Sequence, residues 1–78
     1  MAILFVLIKC QIGFEKVVKS SIEKISRLVD RIDIVSGEYD LIVRLRAETN
    51  GELQRMVLGK LRNIPNIIQT VSLTVIET

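Results

Sequence analysis

Val35-Ser36-Gly37-Glu38-Tyr39-Asp40-Leu41-Ile42-Val43 lies near the middle of the chain, between two apolar segments of β type. Gly37 suits a tight turn, because only glycine takes positive φ without a Cβ penalty. Before the turn, Ile32 and Ile34 alternate with polar neighbours, as in a strand that ends at Gly37. After it, Tyr39 to Glu48 alternates again, with Leu41, Val43, Leu45 and Ala47 on one face and Ile42, Arg44, Arg46 and Glu48 on the other. The pattern predicts a hairpin.

Downstream, Thr49-Asn50-Gly51-Glu52 fits a capping box with Thr49 as N-cap. Leu53, Met56, Val57, Leu61 and Ile64 then form a helical stripe, and Pro65-Asn66 stops it. Gly59 inside that helix costs about 1 kcal/mol relative to Ala, which points to close packing. Ile67 to Glu77 is the last strand, with Val71, Leu73 and Val75 on one face and Thr70, Ser72 and Thr74 on the other. Upstream, Phe14, Val17, Val18, Ile22, Ile25, Leu28 and Val29 recur at steps of three and four. That spacing predicts a helix from Phe14 that closes at Asp30-Arg31, preceded by a break at Gly13. Residues 2–10 form an unbroken apolar run, expected as a central strand.

The order is βαββαβ. Right-handed crossovers turn it into an α+β, ferredoxin-like fold: a four-stranded antiparallel sheet with two helices on one face. The other face carries alternate residues of the first strand, and Ile42, into water unless a second copy covers them. A dimer joined sheet to sheet is the expected solution. Composition agrees: 78 residues make one small domain, 49% hydrophobic but only 4% aromatic, with more aliphatic surface than so short a chain readily hides.

Several function classes lose support at once. A net charge of +2 with no basic run longer than two residues does not imply direct nucleic-acid binding. The stretch Ala2–Ile8 lacks the basic lead and small-residue cleavage site of a signal peptide, and Lys9 ends it far short of a membrane span. A single cysteine, Cys10, allows no internal disulfide or paired-cysteine motif, which suits a reducing cytoplasm. Without histidine or a phosphate-cradling glycine loop, neither catalysis, a metal nor a cofactor is expected. Cys10, at the end of an apolar strand, is expected to be an inert thiol.

The polar cluster in the turn is open to two readings. In one, Tyr39 is a surface residue and Asp40 bonds nearby backbone amides. In the other, Asp40 accepts the ammonium of a zwitterionic ligand whose carboxylate meets amides around Gly37, with Tyr39 as a wall. Thr70 and Ser72 are likewise either ordinary β-formers or hydroxyls that complete a polar pocket where subunits meet.

The succession Gly13, Val29, Ser36-Gly37-Glu38-Tyr39-Asp40-Leu41, Leu61-Arg62-Asn63-Ile64-Pro65-Asn66-Ile67 and Thr70-Val71-Ser72 resembles the ligand-sensing (RAM) domain of Lrp/AsnC transcriptional regulators. The resemblance covers nearly the whole chain, 1–78. It implies a homo-oligomer that pairs through its sheets and assembles dimers into rings, with a small amino-acid effector bound between dimers. By position the ligand-binding residues are Gly37, Tyr39, Asp40, Thr70 and Ser72. Typical full-length regulators place a helix-turn-helix DNA-binding domain first. Here Met1 leads straight into the first strand, so the expectation is a stand-alone sensing and oligomerisation domain that modulates transcription, including by mixed assembly with full-length regulators. Asn66 stands where the family usually has Gly, and Ser72 where Thr is usual. The alternatives are an ACT-like regulatory domain, which shares the strand order, and a purely structural oligomerisation module. A small dimeric α+β barrel enzyme is the remaining rival, and it lacks a visible reactive side chain.

Overall fold

The computed structural model describes residues 1–25 and 27–76. The elements run β1 (Ala2–Cys10), α1 (Glu15–Ile25), β2 (Val29–Ile34), β3 (Leu41–Ala47), α2 (Asn50–Gly59), a 3₁₀ turn (Leu61–Asn63) and β4 (Ile67–Thr74). The sheet order is β2-β3-β1-β4, and every neighbouring pair is antiparallel. This is the ferredoxin-like arrangement, with the unbroken apolar strand in the interior of the sheet. The expected passage of helix through Ser26, and of the last strand into Glu77, lies outside the described residues.

β1 and β3 alternate strictly. Leu4, Val6, Ile8 and Cys10 from β1, with Leu41, Val43, Leu45 and Ala47 from β3, are buried under the helices. They pack with Val18 and Ile22 of α1 and with Leu53, Met56 and Val57 of α2. Leu61 and Ile64 complete the same core. No polar or charged side chain joins them among the described residues. The hydrophobic effect therefore fixes the register, since a slip of one residue would turn this whole set into water.

The helices are shorter than their apolar stripes suggest. α1 ends at Ile25, and Leu28 and Val29 belong to the turn and to β2, where Val29 pairs with Leu45. Asp30 and Arg31, expected to close the helix, are strand residues. Phe14 and Val17 are exposed, so the buried stripe of α1 is narrower than its spacing implies. Gly59 ends α2 rather than lying inside it, and a Cβ built there meets nothing within 4 Å. Close packing is not its role; a helix end tolerates glycine at little cost. Thr49 caps α2 as expected, its hydroxyl accepting from the Glu52 N–H at 3.2 Å. The Glu52 carboxylate in turn accepts from the Thr49 hydroxyl at 3.4 Å, not from the Thr49 backbone amide as a full capping box would have it.

The second sheet face has no helix over it. Ile3, Phe5 and Leu7 lie there on β1. Ile42, Arg44 and Arg46 flank them on β3, and Val71 and Leu73 on β4. Asp30 pairs with Arg44 and, at 3.7 Å, with Arg46, which gives the β2 side of this face a charged border. Arg31 and Asp33 add a second ion pair along β2, at 2.9 Å. Charges on an outermost strand discourage edge-to-edge pairing. The centre of the face stays apolar.

Candidate functional site

The β2–β3 turn, residues 35–40, stands at the end of the sheet where β1 finishes. Three main-chain and side-chain ties hold it there. The Val35 N–H donates to the Asp40 carbonyl at 2.9 Å, and the Asp40 N–H donates to the Ile8 carbonyl at 2.8 Å. The third tie is the Asp40 carboxylate, whose Oδ2 accepts the Cys10 N–H at 2.9 Å. Gly37 takes φ +132°, a conformation that side chains rarely adopt. Between these fixed ends Ser36, Gly37 and Glu38 are exposed, while Tyr39 and Asp40 are half-buried.

Cys10 is buried beside this carboxylate. Burial raises its thiol pKa above the usual value; the negative charges of Asp40 and Glu15, and a hydrogen bond to Asp40, raise it further. The thiol stays protonated at neutral pH, which fits an inert group rather than a nucleophile.

The turn before β4 closes the same end of the sheet. The Gln11 N–H donates to the Asn66 carbonyl at 2.9 Å. Asn66 has φ +73°, the left-handed region in which asparagine and glycine are the tolerated residues. This accounts for asparagine where the family usually has glycine. Asn66→Ala is expected to cost about 1 kcal/mol by the left-handed penalty, read as a lower urea midpoint with an unchanged slope. Asn66→Gly should hold wild-type stability within a few tenths.

The five residues singled out in the sequence divide into two groups. Gly37, Tyr39 and Asp40 share the turn. Thr70 and Ser72 lie on the edge strand β4, opposite Ile8 and Val6, on the helix side of the sheet but beyond full cover. β1 intervenes between the groups, so two strand spacings, roughly 10 Å, part them within one chain. Thr70 lines a shallow cleft of about 290 Å³ with Arg62, Ile67, Ile68 and Gln69. At the far end of the sheet a cleft of about 310 Å³ brings together Arg27, Asp30, Arg46, Glu48 and Glu52. Sequence reasoning did not anticipate that cleft, whose charges are brought together from residues 27–30, 46–48 and 52. No group of three or more His, Cys, Asp or Glu side chains that could hold a metal occurs among the described residues. No helix there is long and apolar enough to cross a membrane.

The Lrp/AsnC ligand binding domain family matches residues 3–78. The chain belongs to this family. An uncharacterized HTH-type transcriptional regulator of Pyrococcus abyssi is 36% identical over 58 residues, which are 72% of this chain and 39% of the regulator. The chain thus spans about two fifths of the length of that relative. Among solved structures, a hypothetical protein of Pyrococcus horikoshii is 29% identical, with a TM-score of 0.85 over 100% of this chain and 93% of its own. AsnC of E. coli has a TM-score of 0.90 over 99% of this chain and 52% of its own, at 18% identity, a likeness of fold. The RAM-type chain is therefore a regulatory ligand-binding domain and not an enzyme.

Proposed function

We propose that this domain senses a small amino acid and converts its binding into a change of assembly. The observation that carries the reading is the turn at 35–40. It is pinned at both ends, yet it exposes Gly37 and leaves Tyr39 and Asp40 half open. Backbone amides around a glycine suit a carboxylate, and the half-exposed Asp40 carboxylate suits an ammonium. Thr70 and Ser72 are too far across the sheet to join that turn within one chain. In this reading a neighbouring subunit supplies them, which makes the site a property of the oligomer.

Subunits pair through the open sheet face, where Phe5, Leu7, Ile42, Val71 and Leu73 form an apolar centre bordered by the Asp30–Arg44 pair. Pairs then associate further, and the effector binds across that second boundary and favours the assembly that completes its site. The same surfaces serve mixed assembly with full-length regulators of the family in the cytoplasm, so the domain acts on transcription without itself contacting nucleic acid.

The test is a thermal-shift and calorimetric screen of the twenty proteinogenic amino acids. L-Met comes first, because a Neisseria meningitidis regulator of the same fold, TM-score 0.78, was solved with it. An effector at a hundred times its Kd stabilises by about 2.7 kcal/mol, which raises Tm by about 11–22 °C in a domain this small. Twenty flat titrations would end the effector reading and leave a structural oligomerisation module.

A further inference from the structure

Both turns at this end of the sheet are fastened to two consecutive amides, that of Cys10, which ends β1, and that of Gln11, which follows it. Strand alternation sends the Cys10 N–H to one side and the Gln11 N–H to the other. The first meets Asp40 Oδ2 and the second meets the Asn66 carbonyl, each at 2.9 Å. The β1–β3 ladder ends at the Ile8–Leu41 pair, so no strand carbonyl on that side is opposite Cys10. The carboxylate stands in for it, across thirty residues of chain. On the other side the β1–β4 register shifts between Lys9 and Cys10, which carries β1 toward the Asn66 turn. The remaining groups of Asp40 are committed too: its N–H goes to Ile8 and its carbonyl takes Val35.

A carboxylate that served only to attract an ammonium would have no need of this anchorage. We infer that Asp40 is the positioning residue of the candidate site, its carboxylate acting as a latch that ties the Gly37–Tyr39 turn to the end of β1. Through the neighbouring Gln11 amide, the same strand end holds the Asn66 turn. Two of the segments that carry the family resemblance, 36–41 and 61–67, are thereby tied to one strand end. Oδ2 does this work. An acceptor oxygen is what the latch requires; a negative charge is not.

The importance of the latch for sensing rests on the effector reading above, but its test needs no effector. Amide hydrogen exchange is followed by NMR in the free 78-residue protein, its Asp40→Ala variant and its Asp40→Asn variant. The alanine variant should speed exchange at Cys10 and across 36–40 by about tenfold or more, the loss expected when a charged acceptor is removed. Amides at Val6 and Val43, deep in the ladder, should keep their protection. The asparagine variant keeps an acceptor oxygen and should bring Cys10 back to within about threefold of wild type. Unchanged Cys10 protection in the alanine variant overturns the latch, as does an asparagine variant no better than alanine. Where an amino acid binds the wild type, the asparagine variant separates the charge from the anchorage: binding weakens with the turn still protected. A silent amino-acid screen removes the effector reading alone.

Discussion

Leu45→Ala should remove about a third to a half of the domain's stability. Leu45 is 0% exposed, in the interior strand β3, opposite Leu4 on one side and Val29 on the other. Emptying that position loses the transfer energy of the side chain and leaves a cavity that neighbours on two strands cannot fill, because both are held in register. Such substitutions cost about 2–5 kcal/mol. A chain of this length has about 4–12 kcal/mol to lose. The expected outcome is a urea midpoint lowered by about a third to a half, with the slope unchanged. Leu73→Ala provides the comparison, since Leu73 is 50% exposed on the open face of the same sheet. In the dissociated protein it should cost under about 1 kcal/mol. Equal losses at the two positions would mean that the helices do not define the core side.

The fold was legible because its signals are redundant. β1 and β3 advertise their buried face by strict alternation, and the apolar run of β1 marks it as central. Thr49 marks the start of the second helix, but its end was less legible: α2 stops at Gly59 and a 3₁₀ turn fills the stretch before Pro65. The first helix was likewise less legible at its end. Leu28 and Val29 continue the three-four spacing of α1, but Val29 gains more by pairing with Leu45 than by another helical turn. Periodicity cannot register that competition, because the partner lies sixteen residues away. Phe14 and Val17 mislead for a related reason: they fit the stripe, yet α1 presents only Val18 and Ile22 fully to the sheet.

The candidate site divides along the same line. Gly37 and the polar turn could be read locally, since positive φ is a property of one residue. Asp40 could not be resolved between its two readings, because the Cys10 amide that it holds is thirty positions away. An aspartate that bonds an amide of its own turn leaves a short-range sequence signature; one that replaces a missing ladder partner leaves none. Asn66 shows the opposite case. It departs from the glycine usual at this place in the family, and φ +73° makes it the least costly non-glycine choice.

Leu7→Asp should convert the protein into a folded monomer. Leu7 occupies the centre of the open face, level with Ile42 on β3 and Val71 on β4. It is half-buried in the single chain and takes no part in the helix-side core, so the substitution leaves Leu4, Val6 and Ile8 packed as before. In a two-fold pairing each face meets its own copy, and one substitution puts two carboxylates into the interface. Burying a carboxylate costs several kcal/mol; Arg44 and Arg46 on this face already pair with Asp30, and Lys9, two residues along β1, offsets only part of that cost. Pairing through this face should therefore lose at least about 5 kcal/mol, a factor of some thousands in the dissociation constant. Sedimentation equilibrium at micromolar concentration should give a multiple of 8.8 kDa for the wild type and 8.8 kDa for the variant, with the strand signal in circular dichroism retained. A variant that keeps the wild-type mass would place the pairing surface elsewhere. A wild type that sediments at 8.8 kDa would remove the neighbouring subunit that has to bring Thr70 and Ser72 to the turn, and the shared effector site with it.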